Sequence, residues 1–121
     1  MSKEAPNSND RKYDLEERTA IFGESIIDFA KNLPRNEITV SLISQLVRSG
    51  TSVGANYLEA DTANTKKDFL YKIALSRKEA KETRHWLRMI AHAVPDKEEA
   101  ARALSREAKE LVLIFSAILK S

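Results

Sequence analysis

The chain has 121 residues, of which 42% are hydrophobic and 31% charged, and its formal net charge is +2 at pH 7. This length favours one compact domain, and the composition is that of a soluble globular protein. No apolar run approaches the roughly 18 residues of a membrane span, and the polar N-terminus lacks a signal-peptide core. The absence of cysteine excludes disulfides, a thiol nucleophile and zinc–thiolate sites. We therefore expect a cytoplasmic protein with no membrane partner.

The chain is predicted to begin with a disordered polar leader over residues 1–13. Asp14 and Glu17 then form a plausible capping box for a first helix, which ends at Pro34. Apolar residues alternate in steps of four and three along this helix, as on the buried side of a packed helix: Leu15, Thr19, Phe22, Ile26, Phe29 and Leu33.

A second helix is predicted from about residue 37 to residue 59, with an inward side made of Ile38, Leu42, Leu46, Val53 and Tyr57. The segment DTANT separates it from a third helix, where Thr65 and Asp68 indicate another capping arrangement. The third helix ends at Pro95, and its buried side again follows steps of four and three: Phe69, Ile73, Ser76, Ala80, Thr83, Leu87, Ile90 and Val94.

Asp96 and Glu99 open a fourth predicted helix. Its buried side is formed by Ala101, Leu104, Ala108, Leu111, Phe115 and Ile118. No segment alternates with a period of two over the length of a strand. Four amphipathic helices joined by short breaks predict an all-α fold, an antiparallel up-down-up-down four-helix bundle over residues 14–121.

Two glycines interrupt the second helix. Gly50 and Gly54 each cost about 1 kcal/mol relative to alanine inside a helix. At 100° per residue they lie on the same side as Leu46, Val53 and Tyr57. Because small residues let a neighbouring backbone approach closely, we expect a close helix contact at these positions. A ligand-binding role is the alternative.

The other side of the second helix carries a stripe of polar groups: Gln45, Arg48, Ser49, Ser52, Asn56 and Glu59. A solvated face would usually contain more lysine and glutamate. Two interpretations stay open, a solvated face or a stripe partly buried in a hydrogen-bonded network. In the second, Asn56 and Glu59 are buried and paired.

Helices two and three also carry a family resemblance. The segments LISQLVRSGTSVGANYLEA and KKDFLYKIALSRKEAKETRHWLRMI resemble the four-helix bundle family first noticed as open reading frames in intervening sequences of bacterial 23S ribosomal RNA. The resemblance covers roughly residues 14–119. Its matching elements are Gln45-Leu46-x-Arg48, Ser52-x-x-x-Asn56-x-x-Glu59, Asp68-Phe69, Lys78-Glu79-Ala80, Glu82-Thr83 and Trp86-Leu87. They imply a polar network of Arg48, Asn56, Glu59, Glu79 and Glu82.

The resemblance also implies partners. Some relatives assemble as homopentameric barrels, and a related branch is the accessory protein of diversity-generating retroelements, which binds a reverse transcriptase and nucleic acid through basic surface. A homo-oligomer, with five subunits as the expected number, is therefore implied for this chain. RNA or DNA and a reverse transcriptase are the candidate partners, and no cofactor is implied.

Charge is concentrated in the third helix. Residues 66–88 contain eight Lys or Arg and three acids, a balance of +5, so the rest of the chain sums to −3. Five cations fall within about 60° of arc beside the buried side: Lys66, Arg77, Lys81, Arg84 and Arg88. Such a row suits phosphate contacts. The alternative is a solvated face partly paired with Glu79 and Glu82.

The far side of the third helix carries a second apolar line: Tyr71, Leu75, Trp86 and Met89. One helix of a small bundle rarely needs two apolar faces, so this line should contact either a neighbouring helix or another subunit. A subunit contact is favoured, because tryptophan and methionine are enriched at interfaces.

Catalytic and metal-binding patterns are weak in this sequence. His85 and His92 are seven residues apart, but no acid lies at ligand spacing beside both. A di-iron bundle needs Glu-x-x-His from two helices, and only Glu82-x-x-His85 fits. We expect no enzymatic activity, no catalytic residue, no metal and no cofactor. Three hypotheses remain: a self-associating bundle that binds RNA or DNA, a structural or protein-binding adaptor, and a carboxylate metal bundle.

Overall fold

Four long helices make up most of the described chain. The computed structural model describes residues 8–121, with side chains from Leu15 onward. The helices are Ser8–Lys31 (α1), Thr39–Asp61 (α2), Lys66–Ala93 (α3) and Glu98–Lys120 (α4), and a 3-10 turn over Pro95–Lys97 joins the last two. These residues include no strand, which confirms the all-α prediction. Between residues 8 and 121, no helix is long and apolar enough to cross a membrane.

The helices form the predicted four-helix bundle. α2 packs between α1 and α3, α4 packs against α3 and less closely against α1, and α1 lies diagonal to α3. Short connections make consecutive helices antiparallel. Across the more open α1–α4 side, the Arg18 guanidinium donates to both carboxylate oxygens of Glu107 at 2.7 and 2.9 Å. This bidentate pair joins α1 and α4 across the side where the two helices approach least closely.

Helix ends agree with the sequence prediction at one capping site and differ at two. Thr65 Oγ1 accepts the amide N–H of Asp68 at 3.0 Å, as predicted. Helix α1 begins at Ser8 rather than Asp14, so position 14 lies inside the helix and not at its start; residues 1–7 of the predicted leader lie outside the described residues. At α4 the cap position is held by Lys97 instead of Asp96, without a side-chain cap.

The start of α2 corrects another prediction. Ile38 was placed inward by its spacing, but it is 68% exposed. Polar contacts set this turn: Asn36 Oδ1 accepts the N–H groups of Ile38 and Thr39 at 2.8 and 2.9 Å. Thr39 Oγ1 donates to the Pro34 carbonyl at 2.6 Å. Thr39 therefore takes the buried position, and its hydroxyl is satisfied by the loop.

The predicted buried sides of all four helices meet in one core. The largest fully buried side chains include Phe22, Ile26, Leu46, Ile73, Leu87, Leu111 and Phe115. Full burial of such a side chain contributes about 1.5–3 kcal/mol. Three hydroxyls are buried between α2 and α3 with partners: Thr83 Oγ1 lies 2.9 Å from Ser49 Oγ, and Ser76 Oγ donates to the Val53 carbonyl at 2.9 Å. These bonds remove the cost of burying polar groups.

The glycines of α2 make the predicted close contact with α1. A Cβ atom added at Gly50 would lie 2.9 Å from two side-chain carbons of Ile26. One added at Gly54 would lie 3.2 Å from Thr19 Oγ1. On the facing helix, a Cβ at Gly23 would lie 3.6 Å from the Thr51 Cα atom. The glycines are therefore packing residues, and their loss of helix propensity is offset by the approach of α1.

Candidate nucleic-acid interface

The predicted basic row follows the side of α3 that faces α4. It is composed of Lys66, Arg77, Lys81, Arg84 and Arg88. Arg77 is half-buried and the other four side chains are exposed. With a rise of about 1.5 Å per residue, the row is about 33 Å long. The structure therefore gives a basic edge on the bundle that is closely spaced from Arg77 to Arg88, with Lys66 about 16 Å before Arg77.

None of these five cations has a carboxylate within ion-pair distance among the side chains described, residues 15–121. Two of them are held by neutral hydroxyls of α4 instead. Arg77 Nη1 donates to Ser116 Oγ at 3.2 Å, and Arg84 Nε donates to Ser105 Oγ at 3.0 Å. A hydroxyl orients a guanidinium without cancelling its charge, so the row keeps its full positive charge.

The acids that could have neutralised this row point to α2. Arg48 Nη1 lies 3.1 Å from Glu79 Oε1, and Arg48 Nη2 lies 2.6 Å from Glu82 Oε1. Arg48 Nε also donates to Gln45 Oε1 at 3.0 Å. The hydrogen bond to Glu82, followed by the bond and charge of Glu79, raises the pKa of the Arg48 guanidinium against the opposing effect of burial. The predicted pairing of the row with Glu79 and Glu82 is thus absent.

The polar network implied by the family motif divides into two groups. Arg48, Glu79 and Glu82 form the cluster above, whereas the Glu59 carboxylate pairs with the Lys72 ammonium. This bond is the main cause that raises the pKa of Lys72. Half-buried Asn56 donates to the Ser52 carbonyl of its own helix at 3.0 Å. Of the two interpretations left open for this stripe, the structure contradicts burial at Glu59, because its side chain is 57% exposed and lies on the outer edge of the α2–α3 contact.

The second apolar line of α3 also divides. Tyr71 is 60% exposed, while Leu75 and Met89 are half-buried. Trp86 is half-buried and packs against the bundle's own core. Its indole Nε1 is buried without a hydrogen-bond partner among the described residues, and its ring meets His85 edge-on at 4.9 Å between centroids. Tyr71 is therefore the most accessible member of the line.

Sequence reasoning missed the contribution of α4 to the basic edge. Ser105 and Ser116 are eleven residues apart in the sequence, which is about three helical turns, so they share a side of α4. The spacing could have predicted that the two serines share one side of α4. It could not have predicted that they bind arginines of α3. The predicted metal alternative has no support from geometry, since residues 15–121 contain no group of three His, Cys, Asp or Glu that could hold an ion.

Comparison with known proteins gives a family and a fold relative. The sequence model of the 23S rRNA-intervening sequence proteins matches residues 11–117. The crystal structure of a protein of unknown function from the S23 ribosomal protein family of Bacteroides thetaiotaomicron is similar, with a TM-score of 0.79 and 28% identity. That match covers 88% of this chain and 98% of the other. Among curated proteins there is no significant sequence match.

Proposed function

The chain belongs to the family of 23S rRNA-intervening sequence proteins, and on this premise we propose that it is a non-enzymatic bundle that binds RNA or DNA through the basic edge of α3. The edge consists of the five cations Lys66, Arg77, Lys81, Arg84 and Arg88. The protein self-associates, so that the edge is repeated in each subunit.

One observation carries the proposal: the cations of the row are not paired with the acids of the same helix, because those acids form ion pairs with a residue of α2. Glu79 and Glu82 bind Arg48 on the α2 side of α3, and serines rather than carboxylates hold Arg77 and Arg84 on the α4 side. A face whose only role is solubility would lose nothing by pairing its charges. An unneutralised row with fixed guanidiniums instead suits phosphate oxygens, which arginine can grip two at a time.

The arrangement favours backbone recognition over sequence reading. Phosphate contacts fix the position of a protein on nucleic acid but carry no sequence information directly. The row contains no Asn, Gln, Ser or Thr, and its arginines could read base edges only after α3 docks in a groove. Each neutralised phosphate lowers the slope of log affinity against log salt by about 0.7 for single strands and 0.9 for duplexes. Five contacts therefore give a slope of about −3.5 to −4.5.

Self-association would strengthen such binding. One subunit has a net charge of only +2, whereas a closed symmetric assembly repeats the row and concentrates positive potential. The exposed Tyr71 ring, with half-buried Leu75 one turn further along α3, supplies apolar area for a subunit contact. Five subunits is the number taken from the family resemblance.

Filter binding with single- and double-stranded RNA and DNA at low and moderate salt tests the proposal. Wild-type protein is expected to retain all of them at low salt and to release them as salt rises. The double reversal Arg77→Glu and Arg84→Glu is expected to abolish retention, with helicity unchanged in circular dichroism.

A matched control is available at the end of α1 and in the connection that follows it, and α1 lies diagonal to α3. The double reversal Lys31→Glu and Arg35→Glu changes net charge equally, at two exposed positions outside α3 and α4. It should bind nearly as wild type does. Equal losses in the two double variants would mean that net charge alone drives binding. If wild-type protein retains no nucleic acid at low salt, the adaptor function is favoured instead.

A further inference from the structure

The basic edge runs into an open cleft where the C-terminal half of α3 meets the N-terminal half of α4. This cleft has a volume of about 850 Å³. Helix α3 contributes Arg84, His85, Arg88 and His92 to its wall, and α4 contributes Arg102. Binding clefts for small groups commonly have volumes of about 300–1,000 Å³. The space can therefore admit several atoms of a ligand, whereas the rest of the row is a convex helix surface.

The fixed charge of this cleft is positive. Its wall contains three guanidinium groups, those of Arg84, Arg88 and Arg102, and one carboxylate, that of Glu98. Glu98 is already bound by Arg102, at 2.7 Å. Arg84 is oriented by Ser105, and Arg88 has no carboxylate within ion-pair distance among residues 15–121. The cleft thus has a charge of about +2 whenever both histidines are neutral, and its only acid is neutralised.

Both histidines of the chain line this one cleft. His85 and His92 are exposed, and seven residues of helix place them about 10 Å apart along one side of α3. Imidazole gains a proton between about pH 8 and 5. The charged groups that face them are Arg84 and Arg88 from α3 and Glu98 and Arg102 from α4. Protonation of both rings would raise the charge of the cleft from about +2 to about +4.

We propose that this cleft is a pH-dependent anchor for the phosphodiester backbone, and that the protein binds nucleic acid more tightly as pH falls from about 8 to about 6. The inference rests on the proposed function and assigns its strongest contact to one end of the row. Phosphodiesters keep a single negative charge over this range, so any change of affinity with pH originates in the protein.

A pH–salt titration with a short single-stranded oligonucleotide that ends in a 5′-hydroxyl tests the anchor. Two fully protonated rings would add two cationic contacts and steepen the slope of log affinity against log salt by about 1.4, which is the upper limit of the change between pH 8 and pH 6. At that limit binding in 0.1 M salt becomes about 25-fold tighter. The double variant His85→Gln and His92→Gln should lose most of this pH dependence, and a melt followed by circular dichroism verifies its fold.

A second pair of variants tests the cleft without the histidines. Arg102→Gln removes one guanidinium and frees Glu98, so binding should weaken at both pH values. Arg106→Gln, an exposed position of the same helix that does not line the cleft, is the matched control and should bind as wild type does. Emission of Trp86, the single tryptophan, reports directly on this end of α3 because its ring contacts His85.

The outcomes separate the two ideas. If the wild type binds with the same pH dependence as the histidine double variant, and Arg102→Gln binds like Arg106→Gln, the anchor is refuted while binding along the row survives. If the wild type binds no oligonucleotide at either pH, the proposed function fails and the anchor fails with it.

Discussion

The contact between α1 and α2 allows a sharp test, because its glycines meet their neighbours at different distances. A Cβ at Gly50 would lie 2.9 Å from Ile26 Cγ1 and Cγ2, whereas a Cβ at Gly23 would lie 3.6 Å from its nearest neighbour. Alanine gains about 1 kcal/mol of helix propensity at either position. At Gly50 that gain opposes overpacking against a fully buried isoleucine, which costs about 1–3 kcal/mol.

We expect the same substitution to change stability in opposite directions at the two sites. Gly23→Ala should stabilise the bundle by about 0.5–1 kcal/mol, since its Cβ makes ordinary contacts. Gly50→Ala should destabilise it by up to about 2 kcal/mol, the overpacking cost less the propensity gain. Gly50→Leu should be worse than alanine at the same position. Urea unfolding followed by circular dichroism measures both changes with one assay.

A double-mutant cycle then identifies the partner. Ile26→Ala alone leaves a cavity and should cost about 2–5 kcal/mol. In combination with Gly50→Ala the added methyl group enters that cavity, so the double variant should lose less than the sum of the single losses. Additive losses, or a Gly50→Ala variant that is more stable than the wild type, would refute a close contact between Gly50 and Ile26.

Two other features lead to direct predictions. Burial, followed by the charges of Asp61 and Glu16, raises the pKa of Tyr57 from 10.0 to about 12. The neutral phenol is therefore favoured in the folded state, and its contribution is complete below about pH 10 and lost as pH rises towards 12. The loss is up to about 2.7 kcal/mol, and thermal melts at several alkaline pH values should show a smaller decline for Tyr57→Phe. For assembly, sedimentation velocity at micromolar concentration should show species larger than one 13.7 kDa chain; Tyr71→Lys should shift them to smaller species and Tyr71→Phe should not.

The fold could be predicted from sequence because burial in a helical bundle repeats with the helix period. Leu15, Phe22, Ile73 and Phe115 all occupy predicted buried positions, since each contacts a neighbouring helix at a regular interval. The helix period gave a wrong prediction at Ile38, because the apolar spacing extends one residue before the first residue of α2. There the contacts of Asn36 and Thr39 with the loop decide the position of the chain, and loop contacts have no period.

The site could be predicted only in part, for a related reason. Angles around one helix group the five cations on one side of α3, but they do not reveal which neighbouring helix each edge meets. The pairing of Glu79 and Glu82 with Arg48 joins residues 31 and 34 positions apart. Similarly, motif membership indicated Glu59 without its direction, and its partner Lys72 lies 13 positions away. Long-range pairs of this kind depend on how two helices pack together, and that packing cannot be predicted from the periodicity of a single sequence.

The serines of α4 that contact the basic row allow a test of whether the charges of the arginines are needed for binding. Ser116 and Ser105 orient Arg77 and Arg84 at 3.2 and 3.0 Å without neutralising them. The double substitution Ser105→Glu and Ser116→Glu would place carboxylates within reach of the same two guanidiniums. Partly exposed ion pairs contribute about 0–1 kcal/mol to stability, so the fold should be as stable as in the wild type or slightly more so.

Nucleic-acid binding by the same double variant should be weaker than in the wild type. Two carboxylates that occupy the arginines would remove two phosphate contacts, which should reduce the salt slope by about 1.4–1.8. The charge-matched control is Ser41→Glu with Ser121→Glu, two exposed positions outside the row. Filter binding and urea unfolding on the same samples measure both quantities. A glutamate pair that leaves binding equal to that control would show that Arg77 and Arg84 do not contact the phosphates, because their charges would then be cancelled without consequence.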